Sequence, residues 1–363
     1  MANASFSSPN DDFPTQDGWL RPEYGLERRY ATVCNFQMSY IAGGKGEPVV
    51  LLHGLGADNS TWRKVLPELA EHFTVYAIDM FGCGQSDKPV IEYTVEAMAH
   101  YVRLFMDAVG IEQAHIIGHS LGGGIAMQTL YFSPERVRRV VLADTGGLGR
   151  DVHWLLRMTT LPGAHSVIGM LTDPRSRLLE LLAKMEEYEV RRLNAEFESE
   201  IPMTLGRLRD PATRRSFLRM IRAVGGLGGQ TVSALARLPE RADRQFLLIW
   251  GERDRIIPAS HGRIATTLLP NAHLAVIPDC FHQPQIEYPR RFLQLALDFL
   301  QAESWPPDAS LFGPPAITSH GSRAQEKQPA PAIVALSGLW TIATHSLMAR
   351  LRRRVAPAGA TGK

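Results

Sequence analysis

Apolar residues fall along this chain in two rhythms. Short runs without polar alternation, at Pro48–Leu52, Phe73–Ile78, Ala114–Ile117, Val137–Leu142, Gln245–Trp250 and His273–Ile277, predict strands covered on both faces, as in a parallel sheet. Between them lie amphipathic stretches of helical spacing, such as Thr94–Val109 and Arg290–Gln301. Strand-helix alternation of this kind predicts an α/β sheet with right-handed crossovers. Ahead of it, Tyr30–Ile41 reads as a β-hairpin, and residues 1–28, rich in Ser, Asn, Asp and Pro, read as a loose arm.

One gap breaks the alternation. Between Asp144 and Gln245 lie roughly a hundred residues of helical character with no convincing strand. Leu178–Phe197, Arg214–Val224 and Thr231–Leu238 read as helices, the last two separated by the glycine-rich turn Gly225–Gly229. The expected division is a core of residues 29–146 and 245–302 with a helical cap, 147–244, over the sheet edge.

The rhythm changes again after residue 302. Residues 303–332, rich in Pro, Ala and Ser, predict a flexible linker. Ile333–Ala349 then runs seventeen residues without Asp, Glu, Lys or Arg and is followed at once by Arg350-Leu351-Arg352-Arg353-Arg354. Apolar residues at 333, 336, 340, 343, 347 and 351 make residues 333–355 an amphipathic helix with a basic end. Such a helix lies on a membrane surface, or docks on the protein or on a second copy of it.

Composition adds little to this picture. Apolar residues at 45% and charged residues at 21% are an ordinary globular balance, and a net charge of +2 gives no reason to expect nucleic acid. Three scattered cysteines without CxxC spacing argue against a disulfide framework or a zinc knuckle and for a reducing, cytoplasmic setting. The polar N-terminus lacks the apolar stretch of a secretory signal.

The chemistry is concentrated at strand ends. Gly118-His119-Ser120-Leu121-Gly122 has the form Gly-x-Ser-x-Gly, between the run at 114–117 and the helix-forming Gly122–Leu130. A serine on so sharp a strand-to-helix turn has its hydroxyl exposed at the sheet edge; alone, the pattern also fits an ordinary turn with a solvated serine. A nucleophilic serine needs a base, a group to orient the base, and donors for the oxyanion. His282 follows the last apolar run and Asp254 the one before it, so the order is Ser120, Asp254, His282. Asp144, at the end of Val140–Ala143, is the alternative acid. No metal or cofactor motif appears: His53 lacks a His-x-His-x-Asp context.

Taken together, His53-Gly54-Leu55-Gly56, Asp79-Met80-Phe81-Gly82-Cys83-Gly84-Gln85-Ser86-Asp87, the serine turn and the Asp254 and His282 loops resemble the α/β-hydrolase superfamily, in its branch with a helical cap. The resemblance covers about Tyr30 to Gln301. It implies a mostly parallel eight-stranded α/β sheet with helices on both faces and a cap between strands six and seven. It implies an oxyanion hole made by the backbone amides of Leu55 and Leu121, with His53 and Asp79 holding loops. Relatives that open epoxides or displace halide use aspartate at the elbow, whereas this chain has serine. Carbon–carbon bond hydrolases use serine but carry a Ser-Gly-Pro-Gly type loop after His-Gly, from which Leu55-Gly56-Ala57-Asp58 departs. The expected activity is therefore cofactor-free hydrolysis of a small, hydrophobic ester, thioester or lactone. Carbon–carbon cleavage, acyl transfer and a non-catalytic binding role are the alternatives. Trp154, Leu155, Leu156, Met158, Leu161, Met170 and Leu171 hint at a hydrophobic substrate, or merely pack the cap on the sheet.

Overall fold

The computed structural model describes Leu20 and residues 22–173, 203–241, 243–269 and 271–302. The expected helix at Leu178–Phe197, the linker and the C-terminal helix lie outside these residues. Among the described residues no helix is long and apolar enough to cross a membrane.

Eight strands form one sheet in the order β1-β2-β4-β3-β5-β6-β9-β10: β1 (Glu27–Val33), β2 (Phe36–Gly44), β3 (Pro48–Leu52), β4 (Thr74–Ile78), β5 (Ala114–His119), β6 (Val137–Ala143), β9 (Phe246–Gly251) and β10 (Ala272–Ile277). The β1–β2 and β2–β4 pairs are antiparallel and the rest parallel. The continuous apolar runs are explained by burial on two sides. In β9, Phe246, Leu248 and Trp250 enter one core, with α2 (Val95–Ala108) and α3 (Leu121–Phe132). Leu247 and Ile249 enter the other, with α1 (Leu66–His72) and α9 (Pro289–Gln301). Truncating a fully buried leucine such as Leu51 to alanine in such a core costs about 2–5 kcal/mol.

The segment between β6 and β9, the sixth and seventh strands of the main sheet, carries α4 (Trp154–Thr159), α5 (Ala164–Leu171) and α6 (Pro211–Val224). Asp210 caps α6 through the amides of Ala212 and Thr213, and Pro211 sits where no helical N–H is needed. Phe217, Leu218 and Ile221 of α6 meet Ala164 and Ile168 of α5 in a small separate core.

Three expectations are corrected. Thr231–Leu238 is not a helix: Thr231 and Ala234 donate their amides to Val224 and Gly147, residues 235–237 form a turn, and Leu238–Arg241 makes a 3₁₀ turn. The expected strandless region holds a minimal hairpin, β7 (Gly225–Gly226) with β8 (Gly229–Gln230). Gly229 has a φ of 103°, open to glycine and strained for other residues. Finally, Glu27 and Arg28 belong to β1, not to a loose arm; Arg28 donates to Ser39 and pairs with the buried Asp79 at 3.3 Å. The remaining helices are α7 (Ser260–Leu268) and α8 (Pro284–Glu287).

Candidate active site

Ser120 lies between β5 and α3 with φ 53° and ψ −116°. A non-glycine residue in this conformation costs on the order of 1–3 kcal/mol, so its surroundings must hold it. They do so through backbone. The Ser120 amide donates to Ala143 O at 2.9 Å, and Ser120 O accepts from Gly146 at 3.0 Å. Gly122 passes so close to the Leu52 carbonyl that any Cβ there would strike it. The elbow is thereby clamped to β3 on one side and to the end of β6 on the other.

The loops after β9 and β10 bring two further side chains to the serine. His282 Nε2 lies 3.1 Å from Ser120 Oγ, and His282 Nδ1 lies 2.8 Å from Asp254 Oδ2. With Nδ1–H donating to the carboxylate, Nε2 is left to accept the serine hydroxyl. The other Asp254 oxygen accepts the amides of Ile256 and Ile257 at 2.7 and 2.9 Å, so its orientation is fixed by its own turn.

His282 is gripped by groups that had drawn no expectation. Glu287 accepts the Phe281 amide on one oxygen and the Gln283 amide on the other, at 2.9 and 2.8 Å, thus binding both neighbours of the histidine. His119 Nε2 donates to the His282 carbonyl at 2.6 Å. Burial, reinforced by the adjacent His282, lowers the His119 pKa to about 3, so the ring is a neutral strut. A carboxylate a few residues after a loop histidine was the available signal for Glu287. Nothing in sequence spacing signalled His119.

The alternative acid stands beside the first. Asp144, fully buried with φ 42°, accepts the Gly251 amide on Oδ1 at 2.8 Å, and no N–H or hydroxyl reaches Oδ2. Burial and the neighbouring Asp254 carboxylate push its pKa well above the carboxylate range. Asp254, not Asp144, carries the bond to His282.

His53 and Asp79 hold loops. His53 Nδ1 donates to Gly54 O and Nε2 accepts the Met80 amide, and burial lowers its pKa to about 4. Asp79 accepts the amides of Asn59 and Gln85. In the loop that departs from the Ser-Gly-Pro-Gly pattern, Asp58 takes a two-pronged ion pair from Arg207 at 2.6 and 2.9 Å. Burial would raise the Asp58 pKa, but Arg207 and the Ser60 hydrogen bond hold it below the usual range. Arg207 thus ties the inserted segment to the loop carrying Leu55.

Among the described residues, only His119, Asp144 and His282 bring potential metal-ligating atoms within 4.8 Å of one another. The His282 nitrogens already face Asp254 and Ser120, which leaves His119 Nδ1 and Asp144 Oδ2, too few donors for a protein-built site. No disulfide joins Cys34, Cys83 and Cys280 to one another, and burial raises the Cys83 thiol to about 12, which makes it unreactive.

Two cavities open on Ser120. The larger, about 370 Å³, is lined mainly by Leu155, Leu156, Ile168, Leu171, Leu208 and Phe217, with His282, Gln283 and Glu287 at one wall. The smaller, about 70 Å³, is bordered by Leu121, Gly124 and Gly146 and shares Leu156 and Ile256 with the larger. Leu55 borders both. A third cleft, about 520 Å³ beside α2, is remote from Ser120 and lined by exposed Glu92, Glu96 and His100.

Comparisons with known proteins bear on the fold. The α/β-hydrolase fold family model matches residues 47–289. An uncharacterized protein of Mycobacterium tuberculosis is 32% identical over 276 residues, 75% of this chain and 80% of its own length. The 2-hydroxy-6-oxo-6-phenylhexa-2,4-dienoate hydrolase of Burkholderia cepacia is 30% identical over 277 residues, 74% of this chain and 92% of its own. A meta-cleavage product hydrolase from Pseudomonas fluorescens IP01 superposes with a TM-score of 0.59 at 27% identity, over 75% of this chain and 97% of that one. With eight strands in a mostly parallel sheet and the family match spanning the described core, the chain belongs to the α/β-hydrolase fold family.

Proposed function

We propose that this enzyme hydrolyses uncharged carboxylic esters of apolar alcohols through an acyl-enzyme on Ser120. Ser120 Oγ attacks the ester carbonyl carbon while His282 Nε2 takes its proton. Asp254 stabilises the resulting imidazolium, and the Leu55 and Leu121 amides receive the oxyanion. His282 then returns the proton to the departing alkoxide. Water, deprotonated by His282, attacks the acyl carbonyl and frees the acid and Ser120. The residues between β6 and β9 act as the cap that shapes the substrate cavity.

The observation that carries this reading is the charge of the larger cavity. Its described lining contains Glu287 but neither lysine nor arginine. Against the described lining, a substrate carboxylate would lose its hydration without gaining a cation, which is strongly unfavourable. By its name, the Burkholderia relative acts on a dienoate, an anion. That relative favours a second reading, carbon–carbon bond hydrolysis on the same triad, and the two are separable by kinetics. The ester reading expects kcat/KM for p-nitrophenyl esters to exceed that for 2-hydroxy-6-oxo-6-phenylhexa-2,4-dienoate by at least about a hundredfold. The reverse order would overturn it.

A further inference from the structure

The two cavities meeting at Ser120 differ about fivefold in volume, roughly 370 against 70 Å³, and only the larger is bordered by His282. This difference has a chemical direction. In the tetrahedral intermediate the carbon bears Oγ, the oxyanion, the acyl substituent and the leaving oxygen. The leaving oxygen must receive a proton from His282 Nε2, so it points to the histidine side. The acyl substituent points away from it.

Resting on the ester reading, we infer that the small arm is the acyl subsite and the large cavity the leaving-group subsite, so that the enzyme takes short-chain acyl esters of bulky apolar alcohols. A dry cavity of about 150 Å³ holds a benzene ring, so an arm half that size suits an acetyl or propionyl group better than a phenyl ring. The arm's walls are fixed by the core rather than by the inserted segment alone. Val95 starts α2, Gly124 lies on α3, and Gly146 and Gly147 follow β6. Apart from Ser120, its one polar side chain among the described residues is Gln230. Both ends of Gln230 are engaged, Oε1 by the Gly147 amide at 2.8 Å and Nε2 by the Asp151 carbonyl at 3.1 Å. Nothing in the arm therefore solicits a polar acyl group. In the Burkholderia relative's substrate, the name places a phenyl group on the oxo-bearing carbon. This arm suits that group poorly.

Isomeric ester pairs test the assignment, because they hold overall hydrophobicity nearly constant. Hexyl acetate should exceed ethyl hexanoate, and benzyl acetate should exceed ethyl benzoate, each by about tenfold or more in kcat/KM, the discrimination expected when extra carbons do not fit. Equal rates, or preference for the hexanoate and benzoate, would overturn it. Gly124→Ala adds a methyl group with only ordinary contacts, 3.6 Å to Gly146 O and 4.0 Å to Val95. It should lower the butyrate-to-acetate ratio, while Val232→Ala should raise it.

A second measurement is independent of ester turnover. Methanesulfonyl and phenylmethanesulfonyl fluoride each form an O–S bond to Ser120 with loss of fluoride, the serine proton passing to His282, and place their carbon substituent in the acyl position. After correction for their hydrolysis rates, the methane reagent should inactivate faster. Faster methanesulfonylation with no ester hydrolysed would sink the ester reading and leave the arm assignment standing. Equal or faster reaction of the phenylmethane reagent would sink the arm assignment.

Discussion

The sheet edge and the inserted segment are held by different kinds of interaction. At the sheet edge the local backbone does most of the holding: Ser120 is fixed by Ala143 and Gly146 and Asp254 by the amides of its own turn, while one carboxylate, Glu287, accepts the amides on either side of His282. The segment between β6 and β9 meets that edge largely through side chains. Arg207 reaches Asp58, Ser216 meets the Tyr93 hydroxyl at 3.1 Å, and a small core of α5 and α6 residues stands apart from the two main ones. Backbone anchors survive most substitutions, whereas side-chain anchors change with a single codon. Ser120 and Asp254 therefore rest on anchors of the first kind, and the Glu287 and Arg207 contacts are of the second.

The sharpest way to break this comparison is at the sheet edge. Ser120→Ala should abolish fluorophosphonate labelling and lower kcat by about 10⁴-fold or more, and Asp254→Asn should cost about 10³–10⁴-fold by disturbing the imidazole tautomer. If Asp254→Asn kept wild-type kcat, Asp144 would be the operating acid. Next comes the loop anchor. Glu287→Ala frees two amides beside His282 and should reduce kcat by about ten- to a hundredfold with little change in KM. Glu287→Gln still offers one carbonyl acceptor and should recover part of the loss.

The inserted segment should respond in the other parameter. Arg207→Ala removes a two-pronged, charge-assisted contact and leaves Asp58 without it. We expect KM to rise about three- to tenfold while kcat stays within about threefold, measured on one ester over a full concentration range. A kcat loss as large as that of Glu287→Ala would mean that this segment also sets the position of Leu55, and the division would fail.

The same division governs how much could be read from sequence. That Ser120, Asp254 and His282 meet was legible because each follows an apolar run in the expected chain order. The parallel strands were legible to within two residues because burial on both faces removes polar alternation, as in β3 and β9, whereas the β1–β2 hairpin extends three residues past its expected bounds at each end. The inserted segment was not legible. Thr231–Leu238 has helix-compatible residues, yet the Thr231 and Ala234 amides go to Val224 and Gly147, outside the segment, and a turn follows in place of a helix. Arg28 reads as part of an arm in sequence because its partners, Ser39 and Asp79, are apparent only once the sheet is assembled. The contest between Asp144 and Asp254 was open for a similar reason. Both follow strands, and only the sheet order, which sets β6 beside β9, places the two carboxyl groups together.

That pairing gives the smallest predicted effect on rate and a distinctive one on stability. With Gly251 donating to one oxygen and the Asp254 carboxylate nearby, a protonated Asp144 satisfies every neighbour, and asparagine reproduces both the acceptor and the donor. Asp144→Asn should therefore change kcat by less than about threefold. Its effect on folding should depend on pH with a definite sign. An unfolded aspartic acid releases its proton above about pH 4, whereas folded Asp144 retains it, so folding takes up a proton. Each pH unit of increase then lowers wild-type stability by about 1.4 kcal/mol through this group, until the raised folded pKa is passed. The asparagine variant lacks that dependence. Urea titrations of both proteins between pH 5 and 8 should show the variant gaining on the wild type as pH rises. A gap that does not change with pH would mean that Asp144 is ionised in the folded protein, and that two charged carboxylates share the space behind His282.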